Sequence, residues 1–326
     1  MDSKGYIAGF NTRHVNVYSV KLRIASILAG VMIAVIFTFI VMGVASYVYG
    51  DAMSTSFILL ILVFVLLLDI FQFLAGPYLV GRAFRTRRIN GEDPGTIWIL
   101  QAVEEVCHYN NEKVPAVYIA EVSIPNAFAY GTPISGRRLA VTRGLIQILD
   151  RDEVKAVIAH EIGHLKHHDV ALLMAIGIVP TVIFYLGYML LFSGGSSRNQ
   201  NGYNILVALA LMAVSFIFSL MILGVNRMRE SCADMNSESI PGGPEKLQTA
   251  LAKIVSSTPV TGIGRRRPSG SSFSNMLLFT DPSSGERKSH ERLLEEWKAM
   301  KISRLSTIFS DHPHPARRIQ ALERIK

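Results

Sequence analysis

The sequence predicts a mainly helical membrane protein with a soluble α+β part that binds a metal ion on a helix. Three observations lead there. Four long segments are almost free of charge. The chain is 50% hydrophobic and 18% charged, with a mean hydropathy of +0.32, the profile of a membrane protein with soluble portions. Residues 160–164 read His160-Glu161-Ile162-Gly163-His164, two histidines four apart on one helix face with a glutamate between them.

The apolar segments run from Ile24 to Tyr49, Phe57 to Val80, Val170 to Phe192 and Tyr203 to Val225. Each exceeds the roughly 20 residues that a helix needs to cross the hydrocarbon core. The first is too long for a signal-peptide core and lacks a clear small-residue cleavage site, so it reads as an uncleaved anchor. Asp69 interrupts the second and reads as a neutral or paired structural group, with an intramembrane function as the alternative. Pro180 lies inside the third and predicts a kink.

Basic residues cluster before the first segment (Lys4, Arg13, Lys21, Arg23), after the second (Arg82, Arg85, Arg87, Arg88) and after the fourth (Arg227, Arg229). The intervening connections hold only Arg198. All clusters fall on one side, which predicts cytosolic termini and cytosolic soluble parts. The net charge of +8 follows the apolar segments rather than forming a nucleic-acid stripe, and it suits anionic lipid headgroups. Cys107 and Cys232 read as free thiols in a reducing compartment.

The chain thus divides into 1–82 with two spans, a soluble stretch 83–169, a membrane hairpin 170–225, and a soluble stretch 226–326. In the first soluble stretch a helix is expected from Thr96 to Asn110. Strands are expected at Ala116 to Ala120, Asn126 to Tyr130 and Arg138 to Thr142, the last two joined by a turn-rich Gly131–Gly136. Asp150 and Glu153 form a capping-box signature for the next helix. Val154, Val157, Ile158, Ile162 and Leu165 continue it at helical spacing. In the second soluble stretch a helix is expected from Pro244 to Ser256. Residues 257–285, with Arg265-Arg266-Arg267, read as a flexible or membrane-contacting loop. A helical region with Trp297 and a closing helix follow.

His160 and His164 can present ring nitrogens to one Zn²⁺, and Glu161 can take a proton from water there. A match to this five-residue pattern arises by chance in about 1% of chains of this composition. The alternative is a buried helix with two satisfied histidines, in which the glutamate would be costly without a partner. A catalytic zinc site needs a third protein ligand. His167 lies about 10 Å along the helix from His160 and cannot reach the same ion. His168 could pair with His164 only by leaving Glu161 without a role. Glu230 is the better third ligand, because the short third-to-fourth connection brings its end of the hairpin back to the motif helix. Asp234, one turn on, can accept a hydrogen bond from a ligating imidazole. Alternatively, Glu230 and Asp234 pair with Arg227 or Arg229 on a surface.

His160–His164, Arg229-Glu230 with Asp234, and four apolar segments together resemble the HtpX family of membrane zinc metalloproteases, to which the CAAX prenyl proteases are distantly related. Pro125-Asn126-Ala127-Phe128-Ala129, Val141-Thr142-Arg143-Gly144-Leu145, and His312-Pro313 with Arg318-Ile319 match further family elements. Ser231-Cys232 and Ser237–Ile240 depart from the family pattern.

The resemblance implies a gluzincin-like domain with one Zn²⁺ on His160, His164 and Glu230, and peptide-bond hydrolysis with Glu161 as acid–base. It nominates His312, and more weakly Arg318, to stabilise the oxyanion. A substrate peptide is expected to add as a strand along Arg138, Leu139, Ala140, Val141 and Thr142, near Asn126. It further implies a multi-pass protein of a prokaryotic cell membrane acting on membrane or misfolded proteins in quality control and stress response, with a lipid bilayer and no nucleic acid as partners. Two other functions fit some of the residues: a catalytically silent zinc scaffold, and a zinc transporter. The spans hold no histidine and one acid, which argues against transport.

Overall fold

The computed structural model describes residues 63, 67, 70–71, 74–91, 93–132, 134–192, 198–257, 289–302 and 312–326. The first expected span, Asp69, and all but the first residue of the expected 257–285 loop lie outside them. Of the second expected span, residues 74–80 are continuously helical, and the run continues to residue 83.

A four-stranded mixed sheet forms the frame: β1 (Thr86–Arg88), β2 (Ala116–Ala120), β3 (Ala127–Thr132) and β4 (Gly136–Thr142). Its order is β1-β2-β4-β3. β2 and β4 are parallel, with Ala116 opposite Arg138 and Ala120 opposite Thr142. β3 folds back antiparallel on β4, Ala127 opposite Val141. Gly131, at φ +123, makes the hairpin possible, because a Cβ there would run into the carbonyl of Gly136. β1 has no apolar pattern to announce it and joins the sheet by antiparallel pairing with β2.

Helices α1 (Ile97–Asn110), α2 (Arg143–Ile148) and α3 (Arg151–Lys166) belong to the first soluble stretch. Ile99, Val103 and Val106 of α1, Leu139 and Val141 of β4, and Val154, Ile158 and Ile162 of α3 share one buried core. Leu247, Leu251 and Ile254 close it from α6 (Gly243–Ser257). The core therefore draws on both soluble stretches. Helices α7 (His290–Ala299) and α8 (Pro315–Glu323) pack on α6 through Leu293, Trp297 and Ile319.

Between the stretches stand α4 (Asp169–Phe192) and α5 (Arg198–Asn236). Among the described residues two helical runs are long and apolar enough to cross a membrane, Asp169–Tyr188 and Tyr203–Ser239. They meet along Val182, Ile183, Leu186, Leu211 and Phe218. Gly187 permits the close approach, since a Cβ there would lie 2.9 Å from the carbonyl oxygen of Ala208. Ser215 Oγ donates to the carbonyl of Pro180 at 2.8 Å. The apolar part of α5 does not end in a loop; the helix runs on without a break and carries Glu230 and Asp234 inward.

Candidate metal centre

The motif helix α3 starts as its sequence dictates. Asp150 accepts the Glu153 amide at 2.8 Å, and the Glu153 carboxylate accepts the Asp150 amide at 2.9 Å. Its buried apolar face fixes its rotation and aims His160 and His164 away from the core. Gly163 decides how near α5 can come. A Cβ at this position would lie 2.9 Å from Asn236 Cβ and 3.1 Å from Ala233 Cα. Asn236 then donates to the carbonyl of Ala159 at 2.6 Å and fixes the two helices together.

This contact places Glu230 against both histidines. The Nε2 atoms of His160 and His164 stand 3.1 Å apart, with the rings edge to face at 85°. Glu230 Oε1 is 3.5 Å from His164 Nε2, and Oε2 is 3.8 Å from His160 Nε2. One donor atom from each residue lies within 4.8 Å of the other two. Donors held at about 2.0–2.1 Å around a tetrahedral ion stand about 3.3 Å apart, so the separations suit a single cation. Glu230 Oε2 is buried without a hydrogen bond among the described residues, a donor left for a ligand.

Both histidines are held from behind. Asp234 Oδ1 is 2.9 Å from His160 Nδ1. Asp169 Oδ2 is 2.7 Å from His164 Nδ1. Each contact commits Nδ1 and turns Nε2 toward the shared centre. Burial pushes His160 down to about 4, with Asp234 opposing. His164 goes the other way, up to about 9: burial opposes the charge, but the bond to Asp169 and the carboxylates of Glu230, Asp169 and Glu161 outweigh it.

Glu161 is buried and accepts the backbone N–H of Ala129 at 2.7 Å. Burial pushes it up to about 7, against the pull of the His164 charge and the Ala129 amide. His312 enters with Nδ1 3.2 Å from Glu230 Oε1. Burial works against its charge, but Glu230 raises its pKa. Arg318 also enters the site, with Nη1 3.7 Å from Glu230 Oε2. It is 2% exposed and grips Asp234 through Nη2–Oδ1 at 2.6 Å and Nε–Oδ2 at 2.9 Å.

The expected docking strand is corrected by the topology. β4 has neighbours on both edges, so no peptide can add along Arg138 to Thr142. Leu139, Ala140 and Val141 are buried. Thr142 caps α2 by accepting the Leu145 amide, and its hydroxyl also accepts the Asn126 amide. Arg138 lies over the rings of Tyr78, Tyr118 and Tyr130. Among the described residues the unpaired edge near the site is that of β3, which the hairpin places outermost beside Glu161. Sequence reasoning also passed over Asp169, which joins His164 to Arg229. Its signal was a lone acid at the mouth of an apolar segment, five residues beyond the second histidine.

A purely structural metal site has no use for a buried carboxylate that shares the ligand helix but is held by a strand edge. Glu161 in that position makes the fold a metallopeptidase. The chain belongs to peptidase family M48, whose model matches residues 97–326. It is 48% identical to the protease HtpX homolog of Thermoplasma acidophilum over 94% of this chain and 98% of that one. It is 44% identical to protease HtpX homolog 2 of Saccharolobus solfataricus, again over 94% and 98%. The crystal structure of Ste24p from S. mikatae shares the fold, with a TM-score of 0.55 at 15% identity, covering 93% of this chain and 67% of that one.

Proposed function

We propose that this metalloprotease is a zinc-dependent endopeptidase of the cell membrane that cuts membrane or misfolded proteins at the cytosolic face. The observation that carries the reading is the convergence of His160, His164 and Glu230 next to Glu161. Two imidazoles and one carboxylate suit Zn²⁺, and the ion when bound supplies Lewis acidity to water and to the scissile carbonyl. Glu161 takes the proton from the attacking water and returns it to the leaving amine. The Ala129 amide holds that carboxylate in place between the two transfers. His312, beside Glu230, donates a hydrogen bond to the oxygen that gains charge. The peptide adds as an extra strand on the free edge of β3, which recognises extended backbone with little demand on sequence.

Membrane placement is supported by apolar side chains left exposed on the helical pair, among them Phe184, Leu206, Leu209, Phe216 and Ile217. The one-sided basic clusters support a cytosolic site.

The test is cleavage of a membrane-protein substrate by the detergent-solubilised chain, with and without chelator, compared with Glu161→Gln. Activity lost in the variant while zinc is retained supports the peptidase. Equal cleavage by both chains sinks it, and zinc binding without any cleavage favours the silent scaffold.

A further inference from the structure

We infer that Arg229 is a positioning residue for the metal site, acting on His164 through Asp169. Arg229 Nε lies 2.6 Å from Asp169 Oδ1, while Asp169 Oδ2 lies 2.7 Å from His164 Nδ1. Arg229 Nη2 donates to the carbonyl of His167 at 2.7 Å. The Arg229 and Asp169 side chains are 5% and 4% exposed. A carboxylate this deep needs a charged partner, and the guanidinium of Arg229 supplies it, itself held by the His167 carbonyl. Held in this way, Asp169 accepts a hydrogen bond from His164 Nδ1–H and leaves Nε2 facing His160 and Glu230.

The arrangement repeats on the other ligand, where Arg318 holds Asp234 and Asp234 holds His160. The His164 branch differs in where its parts come from. Asp169 is the first residue of α4, and Arg229 lies near the end of α5. The carbonyl that Arg229 also holds belongs to His167, next to His168 at φ +54, where the chain turns from the motif helix into α4. The aim of one ligand is therefore set at the seam between the two apolar helices. Parting these ends lengthens the Arg229–Asp169 contact and frees the ring.

The inference rests on the zinc-site reading, and its test separates the two. Zn²⁺ affinity of the full chain in detergent is measured by competition with a chromophoric chelator, and the ligand-field absorption is recorded with Co²⁺. If the natural chain binds neither metal, the zinc site itself is wrong. Otherwise Arg229→Met and Asp169→Asn should each weaken Zn²⁺ binding about 10–100-fold and alter the Co²⁺ spectrum. The double variant should lose little beyond the larger single loss, because both changes break one path. Arg229→Lys should bind more tightly than Arg229→Met. A merely structural role moves thermal unfolding of the metal-free chain but not the spectrum. If Arg229→Met does not fold, Arg229→Lys and Asp169→Asn decide by the same criteria. Folded variants with natural affinity, or losses that multiply in the double variant, overturn the inference.

Discussion

Arg318 and Asp234 meet in a buried, doubly hydrogen-bonded pair, 2.6 Å on one side and 2.9 Å on the other. Asp234 in turn stands 2.9 Å from His160 Nδ1. The guanidinium thus reaches the metal site mainly through a carboxylate, and its Nη1 also lies 3.7 Å from Glu230 Oε2. Arg318→Met should weaken Zn²⁺ binding about 10–100-fold. Leaving Asp234 buried without its cation should also cost about 3–5 kcal/mol of stability. Chelator competition and thermal unfolding measure the two effects. An oxyanion role alone would lower the rate and leave zinc affinity unchanged.

Loading the site should expel a proton. His164 holds one up to about pH 9, whereas His160, pushed to about 4, offers an acceptor across the 3.1 Å Nε2 contact. Zn²⁺ needs both lone pairs, so binding at pH 7 should release about one proton from His164, with a further fraction from Glu161, and strengthen as the pH rises toward 9. Calorimetry in buffers of different ionisation enthalpy gives the number, and zero release contradicts the assignment. The native metal-free chain keeps this proton when the unfolded chain, titrating at 6.5, has lost it. Its stability should therefore fall as the pH rises from 6.5 to 9.

The pH–rate profile should have an acid limb set by Glu161. Burial pushes this carboxyl up to about 7, and a bound cation pulls it back down. The base works only when deprotonated, so kcat/KM should drop on acidification through a pKa below 7. A rate flat from pH 7 to 5, with zinc retained, counts against Glu161 as the base.

Gly163→Ala should harm the enzyme although it adds one methyl to a helix. The new Cβ would press on Ala233 Cα and Asn236 Cβ, and α5 would have to retreat. A loss of about 1–3 kcal/mol is expected, together with weaker zinc binding because Glu230 rides on the same helix. Gly177→Ala, where nothing lies within 4 Å, is the control and should change neither.

Ala129→Pro should lower activity at least about tenfold while zinc stays bound, because the change deletes the amide that holds Glu161 and blocks the β3 edge. Ala129→Ser keeps the amide and should retain most of the rate. Equal loss in both variants would point to packing instead.

Much of this was legible in local sequence. The capping box at Asp150 and Glu153, the apolar stripe of α3 and the strand at Ala116–Ala120 follow from short-range rules, and the structure has them where those rules put them. The approach of Glu230 to the two histidines was within reach because a short connection sets two long helices side by side. The docking strand was misread because strand order is a long-range property: nothing within Arg138–Thr142 says that β2 lies on its far side. β1 escaped notice because Thr86-Arg87-Arg88 is held by backbone pairing rather than by an apolar face. Asp169 and Arg318 show the same limit, since their partners are fixed by helix docking and not by spacing.

The Asp234–Arg318 pair spans 84 residues of chain. A ribosome that has finished Asp234 has already supplied all three metal donors and the base. The guanidinium that steadies the His160 branch has not yet been made. Until residue 318 is translated and helix α8 seats itself, the carboxylate behind His160 lacks the cation that the folded chain gives it.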